Sequence, residues 1–191
     1  MRFINFPKQK ITFESFLCGT PARDYIVQKQ PYEEQIKAAA DMLAQADYVL
    51  IGAGAGMSAA AGAQYGGTFF KENFGEFQEK YGNGPYMQDM YAAGFYPYPD
   101  EESYWGYWSK QAMLGGIQLD VTPLHRLLLD ALSDREIFVL STNADGQFVK
   151  AGLPEERIFC TQGDYFHIQC RKGCHDKIYD AVSLFQQMDQ A

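Results

Sequence analysis

Residues 160–175, CTQGDYFHIQCRKGCH, gather three of the chain's four cysteines and two of its three histidines into one short stretch. Thiols and imidazoles at that density could hold a metal, form a redox pair or line an active site. Cys170 and Cys174 match half of a tetrahedral zinc site. No second cysteine pair follows, and no spacing recruits Cys18, Cys160 or His175. Bound zinc and two free thiols both stand as readings. His167 reads as a surface or interface residue, and His125, within the leucine-rich LHRLLLDAL, as packing. Gln162, which precedes a glycine, carries an amide that can donate and accept hydrogen bonds but cannot act as a base.

Two other stretches carry groups suited to a ligand. IGAGAGMS (51–58) joins an apolar run to a helix of small residues. Glycines at such a junction let backbone N–H groups approach a diphosphate, and they equally suit a plain tight turn. A dinucleotide-dependent dehydrogenase would also need an acidic residue about 20 positions on, at the end of a second strand. Glu72 falls near that distance, but FFKENFGEFQEKYG around it has the period of an amphipathic helix, which disfavours hydride transfer. STNADGQF (141–148) sets Asn143 and Asp145 on a turn after an apolar strand, either as turn formers or as ligand contacts.

These stretches must be positioned by strands and helices. EEQIKAAADMLAQA, from residue 33, puts Ile36, Ala40, Leu43 and Ala44 on one helical face. Strands ending at Gly52, Leu140 and Cys160 each run into one of the polar loops. Helices are expected from DEESYWGYWSKQAM, with acidic residues at its start, and from Pro123. The alternation predicts a parallel sheet with helical cover, three loops at its ligand-binding edge. The segment 65–108 is dense in aromatic residues and holds both tryptophans. It reads as core, or as a lobe that lines and closes a ligand pocket.

Bulk properties exclude several classes. With 191 residues, 47% hydrophobic, the chain can bury a core. A net charge of −8 opposes nucleic-acid binding by phosphate neutralisation. No apolar run approaches the roughly 20 residues of a membrane helix. The amino-terminal residues lack the apolar core of a secretory signal. A cytoplasmic protein with reduced thiols is expected.

Taken together, GAGMS (54–58) with Gly62, TNAD (142–145) with KAG (150–152), and QGDY (162–165) before a cysteine pair resemble the sirtuin family over about residues 32–180. Ordinary sirtuin deacylases carry a catalytic histidine at the position of Gln162. They also have an Ile-Pro-Asp-Phe-Arg run where this chain reads Ala63-Gln64-Tyr65-Gly66-Gly67. The chain is more similar to the macrodomain-linked microbial class, which shares TQGDY, the aromatic stretch 89–99, the EESYWGYWS helix and the QC…CH spacing.

The resemblance implies an α/β fold: a Rossmann-like parallel sheet with helical cover, a helical aromatic-rich small lobe and a partial zinc-ribbon segment at about 165–191. Residues 1–31 would be an extension and 32–191 an NAD-binding catalytic domain whose C-terminal family elements are missing, so weak NAD binding is expected. It also implies that Gly54, Ala55, Gly56, Ser58 and Tyr65 contact NAD and that Asp145 binds the nicotinamide carboxamide. Asn143 would orient the ribose or an attacking group, Gln162 would face the ribose, and Cys170 and Cys174 would hold zinc. The implied activity is mono-ADP-ribosylation of a protein acceptor, possible acceptors including a lipoyl-bearing carrier, with a macrodomain hydrolase as functional partner. The alternatives are an NAD-dependent deacylase and a non-catalytic NAD- or partner-binding module.

Overall fold

A computed structural model describes residues 31–190. The expected extension 1–31, apart from Pro31, and Cys18 lie outside them. One compact unit ends at Ala46 and contains helix α1, Tyr32–Ala44. The second begins at Asp47 and contains everything described below.

Its sheet has three parallel strands: β1 (Tyr48–Ala53), β2 (Glu136–Ser141) and β3 (Ile158–Cys160), in that spatial order. Leu50 pairs with Phe138, Ala53 with Ser141, and Ser141 with Cys160, so all three strands finish at one edge. Thr142 N–H donates to Ala53 O at 3.0 Å and Thr161 N–H to Ser141 O at 2.9 Å, which carries the ladder into the loops. One face of the sheet packs Ile51, Val139 and Ile158 against Phe148 and Leu153. On the opposite face Leu50, Phe138, Leu140 and Phe159 are exposed.

The aromatic segment folds as a helical lobe. Helix α2 (Ala55–Ala60) leads to α3 (Gly67–Tyr81), α4 (Met90–Gly94) and α5 (Glu101–Ala112). Glu72 lies inside α3, as the amphipathic period predicts. Asp89 and Asp100 cap α4 and α5 by accepting from Ala92 N–H and Ser103 N–H, each at 2.7 Å. Phe70, Phe74, Met87, Met90, Ala93 and Tyr107 form the lobe's buried centre, with Phe70 stacked on Phe74 at 5.0 Å. Core packing is therefore the main role of these aromatics.

A single π-helical turn, Met113–Ile117, extends α5, a form that recurs at functional sites. Helix α6 (Pro123–Ala131) starts at the cap Thr122 with Pro123 in its first turn. The short helix α7 (Gln147–Lys150) follows β2, and a 3₁₀ turn, Glu155–Arg157, precedes β3. The last segment is an antiparallel hairpin, β4 (His167–Gln169) and β5 (Ile178–Asp180), followed by α8 (Val182–Gln190). The sequence reading has no helix at 182–190. It forms by burying Phe185 with Ala181 against Ala112 and Met113.

Candidate functional site

The parallel strands deliver three polar loops to one sheet edge, and these loops bond to one another. Ser58, the last polar residue of the glycine-rich loop, is buried in α2. Its hydroxyl donates to Asp145 Oδ2 at 2.7 Å. Asn143 Nδ2 donates to Ser58 Oγ and to Asp145 Oδ2, each at 3.1 Å. Gln147 N–H donates to Asp145 Oδ1 at 3.1 Å. Asp145 is thus a buried carboxylate with three donors, a satisfied arrangement for a charge removed from water. The sequence reading has Asp145 projecting from the turn, whereas it lies only 6% exposed beneath it.

A cavity of about 490 Å³ opens above this cluster. Ala55, Tyr65, Asn143, Asp145, Gln162 and Tyr165 line it. Five of the expected site residues meet there, although Ala55 and Gln162 are 107 positions apart, on different loops. Gly54 caps α2, Gly56 lies within it, and Ser58 reaches the cavity through Asp145. Gln162 is exposed on the wall. Burial raises the Tyr65 phenol, and the Asp145 charge adds to the rise, while a hydrogen bond with Ser58 opposes it. The phenol therefore stays neutral beside Asp145, where an aspartate would set two carboxylates against each other.

Contacts not visible in the sequence hold the Gln162 loop. Tyr165 N–H donates to Ala144 O at 3.0 Å, and Gln111 Nε2 donates to the Tyr165 hydroxyl at 2.8 Å. The Tyr165 ring lies against Gly115 and Gly116 of the π turn. A Cβ on Gly116 would come within 2.9 Å of it. Lys150 Nζ donates to the carbonyls of Gly116 at 2.5 Å, Leu119 at 2.6 Å and Ile117 at 3.2 Å, closing off the end of that turn. Burial lowers the Lys150 ammonium, with Asp120 and Asp145 opposing. Phe166, which follows Tyr165, occupies the space beside Gly146, whose φ of +67° already favours glycine.

Cys170 and Cys174 face each other with sulfurs 2.9 Å apart. The hairpin brings His175 to them, so that one donor atom from each of the three lies within 4.8 Å of the others. The sequence reading finds no spacing that recruits His175, whereas the turn that closes Cys170 on Cys174 brings its neighbour His175 to both sulfurs. Two sulfurs and an imidazole suit zinc and fill three of its four tetrahedral positions. His125 is buried against Phe148, as the packing reading expects, and shares a 2.6 Å hydrogen bond with Thr122.

No family model matches the chain. It is 33% identical over 161 residues to a protein ADP-ribosyltransferase of Staphylococcus aureus (strain Mu50 / ATCC 700699), covering 84% of this chain and 49% of that protein. It is also 33% identical over 178 residues to a probable bifunctional ADP-ribose hydrolase/ADP-ribosyltransferase of Fusarium oxysporum f. sp. cubense, covering 90% of this chain and 29% of that protein. The chain thus spans about half or less of the curated relatives it matches. A Sir2 homologue solved in complex with 2′-O-acetyl-ADP-ribose has the same fold, with a TM-score of 0.50 at 16% identity over 76% of this chain and 53% of that one. In sequence the chain is thus similar to proteins named ADP-ribosyltransferase, and in fold to a Sir2 homologue.

Proposed function

We propose that the chain takes part in NAD-dependent transfer of ADP-ribose to a protein acceptor, with release of nicotinamide. The observation that carries this reading is the 490 Å³ cavity in which Asn143 and Asp145 meet Gln162. Ala55 and the backbone around Gly54 and Gly56 would lie along the diphosphate. Asn143 and Asp145 offer the amide and carboxylate that a carboxamide or ribose hydroxyl would pair with. A deacylase needs a base to draw a proton from the ribose 2′-hydroxyl. Gln162 can hydrogen-bond that hydroxyl but cannot deprotonate it, so the arrangement favours transfer over deacylation.

Both curated relatives carry ADP-ribosyltransferase names, and one pairs that name with ADP-ribose hydrolase. That pairing supports a macrodomain-type hydrolase as functional partner. The aromatic lobe beside the cavity suits an acceptor that presents a long apolar arm, such as a lipoyl-bearing carrier. Cys170, Cys174 and His175 would hold a structural zinc, and reduced thiols there suit a cytoplasmic protein. Among the described residues no helix is long and apolar enough to cross a membrane.

The test is Gln162→His. Wild type should release nicotinamide from NAD and leave acyl-lysine peptides intact. A general base contributes about 10²–10⁴-fold, so the variant should gain measurable deacylation between pH 6 and 8. Wild-type deacylation equal to that of the variant would overturn the assignment.

A further inference from the structure

Asp164 and His167 form a dyad on the loop that carries Gln162. Asp164 Oδ1 accepts from the backbone N–H of Phe166 at 2.8 Å and of His167 at 2.9 Å, which fixes the carboxylate. His167 Nδ1 lies 3.0 Å from both oxygens of that carboxylate. An ionised carboxylate only accepts, so Nδ1 carries the proton and Nε2 of the neutral ring is left as a proton acceptor. The same logic orients the histidine of hydrolytic triads.

The dyad borders a second cavity, of about 270 Å³, distinct from the one that holds Asn143 and Asp145. Tyr104, Trp105, Trp108 and Phe185 form its walls. Ala144, Gln162 and Tyr165 line both cavities and so form the partition between them.

We propose that the acceptor enters through this aromatic cavity and that His167, held by Asp164, is the base that takes the proton from its attacking hydroxyl or amine. This rests on the transferase reading above. The bond from C1′ of the ribose to the nicotinamide nitrogen breaks, and its electron pair leaves with nicotinamide. A lone pair of the acceptor oxygen or nitrogen forms the new bond to C1′, and the acceptor's proton passes to His167 Nε2. Gln162 keeps the role of a ribose contact and needs no basicity. The charged and titratable groups that share a cavity wall with His167 are Asp164, Asp180 opposite it in the hairpin, and Asp145, Lys150, Glu155 and Cys160 across a third cavity. Tyr104 and Tyr165 face it from the aromatic side.

Two small nucleophiles separate the base from the rest of the machinery. Methanol must lose a proton on attack, whereas azide has none to lose. With NAD as donor, wild type should form both the methyl glycoside and the glycosyl azide of ADP-ribose. His167→Ala and His167→Gln should cut methanol transfer by about 10²–10⁴-fold, the usual contribution of a general base, and spare azide transfer. Asp164→Asn should lower methanol transfer with the same selectivity. Unchanged methanol transfer in the His167 variants, or equal loss of both products, would overturn the base assignment while leaving the transferase reading intact. Wild type inert toward both nucleophiles and toward NAD would instead overturn the transferase reading, and this inference with it.

Discussion

Ser58 donates a hydrogen bond to Asp145 at 2.7 Å, with both side chains buried, and so ties the loop after β1 to the loop after β2. The carboxylate retains Asn143 and Gln147 as donors when Ser58 is removed. Ser58→Ala should therefore weaken the fold without abolishing it, by about 1–3 kcal/mol for one lost bond to a buried charge. In a chain of this size that corresponds to roughly 2–4 °C of melting temperature per kcal/mol. Nicotinamide release should fall further than stability, since Asn143 loses its anchor on Ser58. A variant with wild-type melting and turnover would show that the bond has no such role.

The Tyr165 wedge gives a second prediction. A methyl group on Gly116 would meet the Tyr165 ring at 2.9 Å, while Gln111 holds the Tyr165 hydroxyl and the Ala144 carbonyl holds its backbone N–H. Gly116→Ala should cost about 1–3 kcal/mol through overpacking and displace the loop that carries Gln162. Pairing it with Tyr165→Ala should recover part of the overpacking, because alanine lacks the Cδ2 and Cγ atoms that the new methyl would meet. Denaturant midpoints of the two single variants and the double variant decide it: strict additivity would mean the two positions do not meet.

Much of this was legible in the sequence for a physical reason. The three apolar runs, expected to end at Gly52, Leu140 and Cys160, end in the fold at Ala53, Ser141 and Cys160 and are followed by turn residues, so a parallel sheet sends their loops to a common edge. Asn143, Asp145 and Gln162 could be grouped on that basis alone. What escaped depends on distances between elements. The spacing of LGGI does not reveal that Gly115 and Gly116 receive a ring from residue 165. KAG reads as a motif, but the capping of a π turn by the Lys150 ammonium is visible only once that turn exists. His175 joins the cysteines through the turn that closes Cys170 on Cys174, and His167 finds Asp164 through another tight turn.

The Cys170–Cys174–His175 group makes a metal prediction with a spectroscopic readout. Cobalt(II) should bind one per chain and show the thiolate charge-transfer absorption of two sulfur ligands. Cys174→Ser should cut that band to half or less, the Cys170→Ser/Cys174→Ser double variant should abolish it, and His175→Ala should weaken cobalt affinity while keeping the band. Zinc should raise the unfolding midpoint and a chelator should return it, because metal binding of this kind contributes directly to folding. A band intensity matching four thiolates, or no binding at all, would contradict the three-donor assignment.

His125 sets a pH dependence on stability. Burial lowers its imidazole from the ordinary value, against a smaller opposing influence from the Asp145 charge. The folded chain therefore resists protonation at this position, and the unfolded chain takes up the proton first. Stability from the neutral ring is complete above the unfolded value of about 6.5 and is lost as pH falls below it. The loss steepens toward about 1.4 kcal/mol per pH unit at most for one proton, until the folded ring also titrates. Carboxylates add their own acid sensitivity, so the comparison must be with a variant lacking only this group. His125→Phe keeps an aromatic ring against Phe148 and gives up the hydrogen bond to Thr122. It should be less stable than wild type at pH 8, and the gap should narrow as pH falls from 6.5 to 5. Parallel stability curves for the two proteins over that interval would show that His125 does not titrate differently on folding.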